Sequence, residues 1–138
     1  VFHADIHGSP FVLLKNGING KEEDIRDAAV ITASYSKAWK YGIGAINVYY
    51  VAKEQISKKA PSGEYLKKGS FMIYGNKIFV KNAVLELYLG PAEINGSIKI
   101  LIGSLSSLKK NTKYKTIFKI RPGNMSRSYI AEKVINFY

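Results

Sequence analysis

The chain contains no cysteine, and only two histidines and one tryptophan among its 138 residues. Without thiols, neither a disulfide framework nor a zinc–thiolate site can form. Two histidines are too few for a binuclear hydrolase centre, and any serine nucleophile would have to borrow His3 or His7 as its base. No Gly-x-Ser-x-Gly elbow occurs, and Gly42-Ile43-Gly44 follows a helical segment instead of opening one, so no phosphate-cradling glycine loop is present. The longest near-apolar run, Tyr41 to Ala52, is too short to cross a bilayer, and no basic-then-apolar leader opens the sequence. These absences lead us to expect a soluble, unanchored cytoplasmic protein that works without a cofactor or a membrane and is not an enzyme.

Carboxylates are scarce as well. Lys and Arg number 21 against 10 Asp and Glu, which leaves a net charge of +11. The excess is not uniform. Residues 1–52 balance five basic against five acidic side chains, and residues 82–108 carry −1. Residues 53–81 hold seven lysines against two glutamates, and residues 109–138 hold eight basic groups against one acid. Two blocks of this kind make a basic face, the footprint of a polyanion partner. A lysine-rich, thermophile-like surface is the bland reading of the same numbers.

At 46% hydrophobic content the length fits one domain with a real core. The chain opens on Val1, already strand-like through Ile6, as an excised piece of a longer protein would. Phe11 to Lys15 reads as a second short strand. Glu22, Glu23 and Asp24 open a helix whose apolar face runs Ile25, Ala28, Ala29, Thr32, Tyr35 or Ser36, and Trp39, with Gly42 as its stop. Ala45 to Lys53 is β-branched and aromatic, hence a strand. Ser70–Tyr74 and Lys77–Lys81 flank Gly75-Asn76 as a hairpin, and Val84–Leu89 is a strand closed by Gly90-Pro91. A strand over Ile98–Ile102, a helix capped by Ser104, a strand over Tyr114–Arg121 and a final helix capped by Asn124 or Ser126 complete the pattern. The expected class is α+β: a mostly antiparallel sheet, one long helix in the N-terminal half and a C-terminal strand-helix-strand-helix unit. It is expected to form a single domain over 1–138.

Residues 55–73 hold four lysines and one glutamate in a Gly/Pro/Ser setting, with Tyr65 among them. Such a loop suits a phosphate backbone. Lys53, Lys58, Lys59, Lys67 and Lys68 are the expected phosphate contacts, Ser57, Ser62 and Ser70 the expected hydrogen-bond donors, and Lys77 a further residue of the RNA-binding surface. Glu64, Tyr65 and Tyr74 belong to the same surface. One of Tyr49 and Tyr50 must face away from the core, where a ring can stack on an unpaired base. Lys109, Lys110, Lys113 and Lys115 form a second cluster able to extend the track.

His3, Asp5 and His7 alternate along the first strand and so share one face. A divalent ion bound there would activate water, which makes a metal-dependent phosphoesterase or nuclease the rival from another class. The plainer reading has them order a polar pocket together with Tyr35, Ser36 and Trp39 on the helix. A third reading, docking on an acidic protein, would survive RNase treatment.

Five ordered blocks resemble the RNA-binding domain of the NFACT proteins (NFACT-R). They are His3-Ala4-Asp5-Ile6-His7-Gly8-Ser9-Pro10; Tyr35-Ser36-Lys37-Ala38-Trp39; Val48-Tyr49-Tyr50-Val51 with Gln55-Ile56-Ser57-Lys58; Ala60-Pro61-Ser62-Gly63-Glu64-Tyr65-Leu66; and Gly69-Ser70-Phe71-Met72-Ile73. The tail, with Ile100 to Gly103, Lys109-Lys110-Asn111-Thr112-Lys113-Tyr114 and Arg121-Pro122-Gly123, resembles the archaeal form, so the resemblance implies a core over 1–81 that carries the family motifs and an archaeal-type extension over 82–138 of the same domain. The resemblance implies a module that contacts tRNA or rRNA, within a ribosome quality control factor acting on a large ribosomal subunit obstructed by peptidyl-tRNA. It also implies a longer parent chain carrying an N-terminal NFACT domain and a coiled coil. Some relatives carry a fibronectin-binding label, which this basic chain gives no reason to prefer. After Ile73 the family usually continues Arg-Gly-Lys-Lys-Asn, where this chain has Tyr74-Gly75-Asn76-Lys77-Ile78. That leaves two positive charges fewer, with Lys77 and Lys81 as stand-ins.

Overall fold

The computed structural model describes residues 1–59, 63–112 and 116–138. Its fold is α+β with antiparallel pairing throughout. Strands β1 (Phe2–Ala4), β2 (Ala45–Tyr50) and β5 (Ile78–Val84) form one sheet in the order β1-β2-β5. Strands β3 (Ile56–Ser57) and β4 (Met72–Ile73) pair separately. Strands β6 (Leu87–Ile94), β7 (Ser97–Gly103) and β8 (Phe118–Ile120) form a second sheet in the order β7-β6-β8. Helices α1 (Glu22–Ser34), α2 (Leu105–Asn111) and α3 (Arg127–Phe137) accompany them.

The first sheet owes its two faces to strand alternation. Phe2, Ala4, Val48 and Ala83 point inward onto Ala28, Ala29 and Ala33 of α1, and Leu85 closes the core. The small side chains let the helix approach the sheet closely. Acids in its first turn favour the helix dipole, and Asp24 accepts the Lys21 N–H at 3.1 Å. At the switch between the two sheets the buried Ser34 hydroxyl donates to the Glu86 carbonyl at 3.1 Å and accepts the Glu86 N–H at 3.0 Å. Asp27 on α1 also accepts a hydrogen bond from Ser106 on α2.

Four local expectations are corrected. The long helix stops at Ser34, six residues before Lys40. There the Ser36 hydroxyl takes the Ala33 carbonyl at 2.7 Å, and Lys37 N–H turns to Gly8 O at 2.9 Å, so side-chain and long-range bonds replace the helical ladder. Phe11 to Lys15 contributes one bridge, Val12 to Phe2, and no strand. Gly75-Asn76 is not a hairpin turn between β4 and β5. Strand β4 pairs with β3 and β5 with β2, because the Gln55 amide holds the Tyr74 and Asn76 carbonyls at 2.8 and 2.9 Å. Finally, β6 runs straight through Gly90-Pro91 to Ile94. Strand β8 stops opposite Leu89, so among the described strands β7 alone pairs at Pro91 and the missing N–H breaks no ladder bond to β8. The turn lies instead at Asn95-Gly96, with φ of 51° and 80°, the geometry of a two-residue hairpin. The two later helices are capped by Ser104 and Ser126, which accept the N–H groups of Ser107 and Tyr129.

Candidate nucleic-acid interface

The lysine-rich loop leaves and re-enters the molecule through a narrow neck. Ile56 pairs with Ile73 and Ser57 with Met72. Gln55 closes the neck: its amide accepts the Ala52 N–H at 2.9 Å, donates to Tyr74 and Asn76, and its backbone carbonyl accepts the Tyr74 N–H at 2.8 Å. Above it, Lys58, Leu66, Lys67, Lys68, Gly69, Ser70 and Phe71 line a cleft of about 240 Å³. The 67–70 turn is fixed by Ser70 N–H on Lys67 O at 2.9 Å, with Gly69 at φ 82° where a side chain would be strained. Among the described residues, Lys58, Lys67 and Lys68 pair with no carboxylate.

The other expected residues distribute as follows. Lys53 and Lys59 are exposed, and the Ser57 hydroxyl is engaged locally, accepting the Lys59 N–H at 3.0 Å. Tyr65 is 88% exposed on the loop, beside exposed Glu64, and Tyr74 is exposed at the neck. Ser62, Lys113 and Lys115 lie outside the described residues. Lys77 has left the loop for the sheet, its ammonium 4.4 Å from the centre of the Tyr49 ring. Lys109 and Lys110 sit in the last turn of α2 on the second layer.

On the outer face of the first sheet the rings form a row. Phe79, Tyr49, His3, Phe11 and Phe71 follow one another at centroid spacings of 5.7, 5.6, 4.9 and 5.0 Å. Tyr49 is thus the outward member of its pair, while Tyr50 stacks on Phe2 at 5.1 Å. Tyr49 is only 6% exposed, however, and its hydroxyl lies 3.2 Å from His3 Nδ1. Burial lowers the His3 pKa below its ordinary 6.5, the Ala4 backbone and Asp5 opposing and Lys77 assisting. Burial, then Asp5, raises that of Tyr49. The open rings are Phe79 and Phe11, which the sequence reading did not single out. The signal for Phe79 was there: Lys77, Phe79 and Lys81 alternate.

His3, Asp5 and His7 do not form a three-ligand cluster. Strand β1 ends at Ala4, Asp5 and His7 are exposed, and His3 is committed to Tyr49. Among the described residues, no three His, Asp or Glu side chains are arranged to hold a metal ion. The loop they open is organised by Ser9, which accepts the Ala4 N–H at 2.9 Å, and by Gly8 at φ 89° under the Lys37 stem. Residues 8 and 37 therefore join the His3–Pro10 loop to the Tyr35–Trp39 turn, where Ser36 and Ala38 are buried, Trp39 packs on the core and Tyr35 is exposed.

The site thus combines a clamped cationic loop with a row of rings flanked by lysine on an α+β module. The chain belongs to the NFACT protein RNA binding domain family, whose profile matches residues 1–75. It is 41% identical over 135 residues to the archaeal Rqc2 homolog aRqcH of Methanocaldococcus jannaschii, covering 97% of this chain and 20% of that protein. Against the ribosome quality control complex subunit NEMF homolog of Drosophila melanogaster it is 40% identical over 90 residues, 63% of this chain and 9% of the relative. Against human ribosome quality control complex subunit NEMF it is 38% identical over 87 residues, 62% of this chain and 8% of the relative. The chain thus spans a fifth or less of the length of these relatives. No solved structure matches it. Among the described residues, no helix is long and apolar enough to cross a membrane.

Proposed function

We propose that this chain is the RNA-binding module of a ribosome quality control factor. It would be carried by a longer cytoplasmic protein and contact tRNA or rRNA on a large ribosomal subunit obstructed by peptidyl-tRNA. The supporting observation is the lysine cleft: Lys58, Lys67 and Lys68 share about 240 Å³ without a carboxylate partner among the described residues. Like charges gathered without neutralisation repel one another, and a phosphate backbone removes that repulsion while releasing its counterions. The relatives' names place them in ribosome quality control, which supports the same reading. In it the chain is non-catalytic and the whole site serves binding.

The test is binding of labelled tRNA and of purified large ribosomal subunits to the wild-type chain and to a variant with Lys58, Lys67 and Lys68 all changed to Ala. Weaker binding by the variant, at unchanged thermal stability, is expected. Wild-type protein that ignores both targets in dilute buffer overturns the proposal. RNA hydrolysis lost on adding a chelator would transfer the site to the phosphoesterase reading.

A further inference from the structure

We infer that the outer face of the β1-β2-β5 sheet is a stacking platform for unpaired RNA bases, with Phe79 and Phe11 as its open rings. The inference rests on the RNA-binding reading and names the class of RNA that the site takes. Phe79 lies on the edge strand β5 and is 45% exposed; Phe11 is 37% exposed. Between them half-buried His3 and buried Tyr49, hydrogen-bonded to each other, form the floor.

Charge identifies the occupant. Lys77, just before β5, sets its ammonium 4.4 Å from the Tyr49 ring centre, and exposed Lys81 follows Phe79 by two residues at the β5 bulge, so a cation lies on either side of Phe79 along the chain. The centre of a protein–protein interface is depleted of lysine, whereas a base on an aromatic ring brings phosphates on both sides. The row is also continuous with the lysine cleft, because Phe11 packs edge-on against Phe71, a wall of that cleft, and Lys58 lies 6.0 Å from the Phe71 ring centre. A strand whose phosphates occupy the cleft therefore leads its bases onto Phe11 and toward Phe79. Bases in a duplex have both faces already covered by their neighbours, so this surface selects single-stranded segments such as loops and ends.

The experiment measures affinity of the 138-residue chain for a labelled oligouridylate and for an RNA duplex of equal length at one ionic strength. Wild type is expected to prefer the single strand. Phe79→Leu, which keeps bulk and removes the ring, should weaken oligouridylate binding about 5- to 150-fold without changing the salt slope. Phe79→Tyr should restore it, and an abasic strand should bind wild type and Phe79→Leu alike. A thermal melt checks that Phe79→Leu is folded. Duplex bound as tightly as the single strand, or Phe79→Leu bound as tightly as wild type, overturns the platform while leaving the lysine cleft standing. If wild type binds neither RNA, the RNA-binding reading fails and the platform fails with it.

Discussion

The His3 imidazole lies between the Phe11 and Tyr49 rings, hydrogen-bonded to one and packed on the other. Because burial holds its pKa below 6.5, the folded chain releases a proton that the unfolded chain still keeps in the window beneath that value. The unfolded state then binds more protons, so stability is full above 6.5 and declines as pH falls toward the lowered folded value. His3→Gln should flatten that decline, read as the difference in urea-unfolding free energy between about pH 7.5 and about pH 5. Ser34 makes a second prediction at this scale. Its buried hydroxyl satisfies both backbone groups of Glu86, so Ser34→Ala leaves a donor and an acceptor unpaired at the sheet-to-sheet switch. A loss of about 1–3 kcal/mol in denaturant unfolding is expected.

At the scale of elements, the lysine loop is a flap hung from two short paired segments and a single glutamine. The Gln55 amide bonds are solvent-exposed, and the β3–β4 ladder is two residue pairs long, so little else holds the neck. Gln55→Ala should therefore change global stability by less than about 1 kcal/mol. It should also accelerate trypsin cleavage after Lys58, Lys59, Lys67 and Lys68 and weaken RNA binding. Cleavage at the wild-type rate would show that the loop is held by something other than its neck. Much at this scale was legible in advance. Helix α1 announced itself by the 3.6-residue spacing from Ile25 to Thr32 and by its acidic first turn, and α2 and α3 by their serine caps. The hairpin misassigned to Gly75-Asn76 was not, since local turn chemistry fits a glycine–asparagine pair whether or not a distant side chain claims the flanking carbonyls.

At the scale of the whole molecule, the basic blocks divide between two layers. The 53–81 block supplies the cleft and the sheet face, while Lys109 and Lys110 lie on α2. With about five phosphates neutralised, log K for RNA should fall against log salt with a slope of about −3.5 to −4.5. Replacing Lys58, Lys67 and Lys68 together by Ala should make that slope shallower by about 1 for each lysine. A slope near zero in the wild type would mean that charge does not drive the association. Substituting Lys109 and Lys110 should leave the slope less changed, which separates a contact track from a merely solvated face.

The amino-acid sequence alone carried the polyanion-seeking charge, the α+β class, the family membership and the identity of the cationic loop, because net charge, hydrophobic period and motif order are properties of the chain read along its length. The tertiary structure alone decided which of Tyr49 and Tyr50 faces outward, and that the outward one is covered while Phe11 and Phe79 stay open. It also decided that Gln55 ties the loop shut and that His3, Asp5 and His7 part company. Those outcomes depend on where the strand ends, on bulge and register, and on contacts between residues far apart in the chain, 46 positions for Tyr49 with His3 and 19 and 21 for Gln55 with Tyr74 and Asn76. No local pattern encodes them, since alternation says which residues share a face but not what comes to lie on top of it.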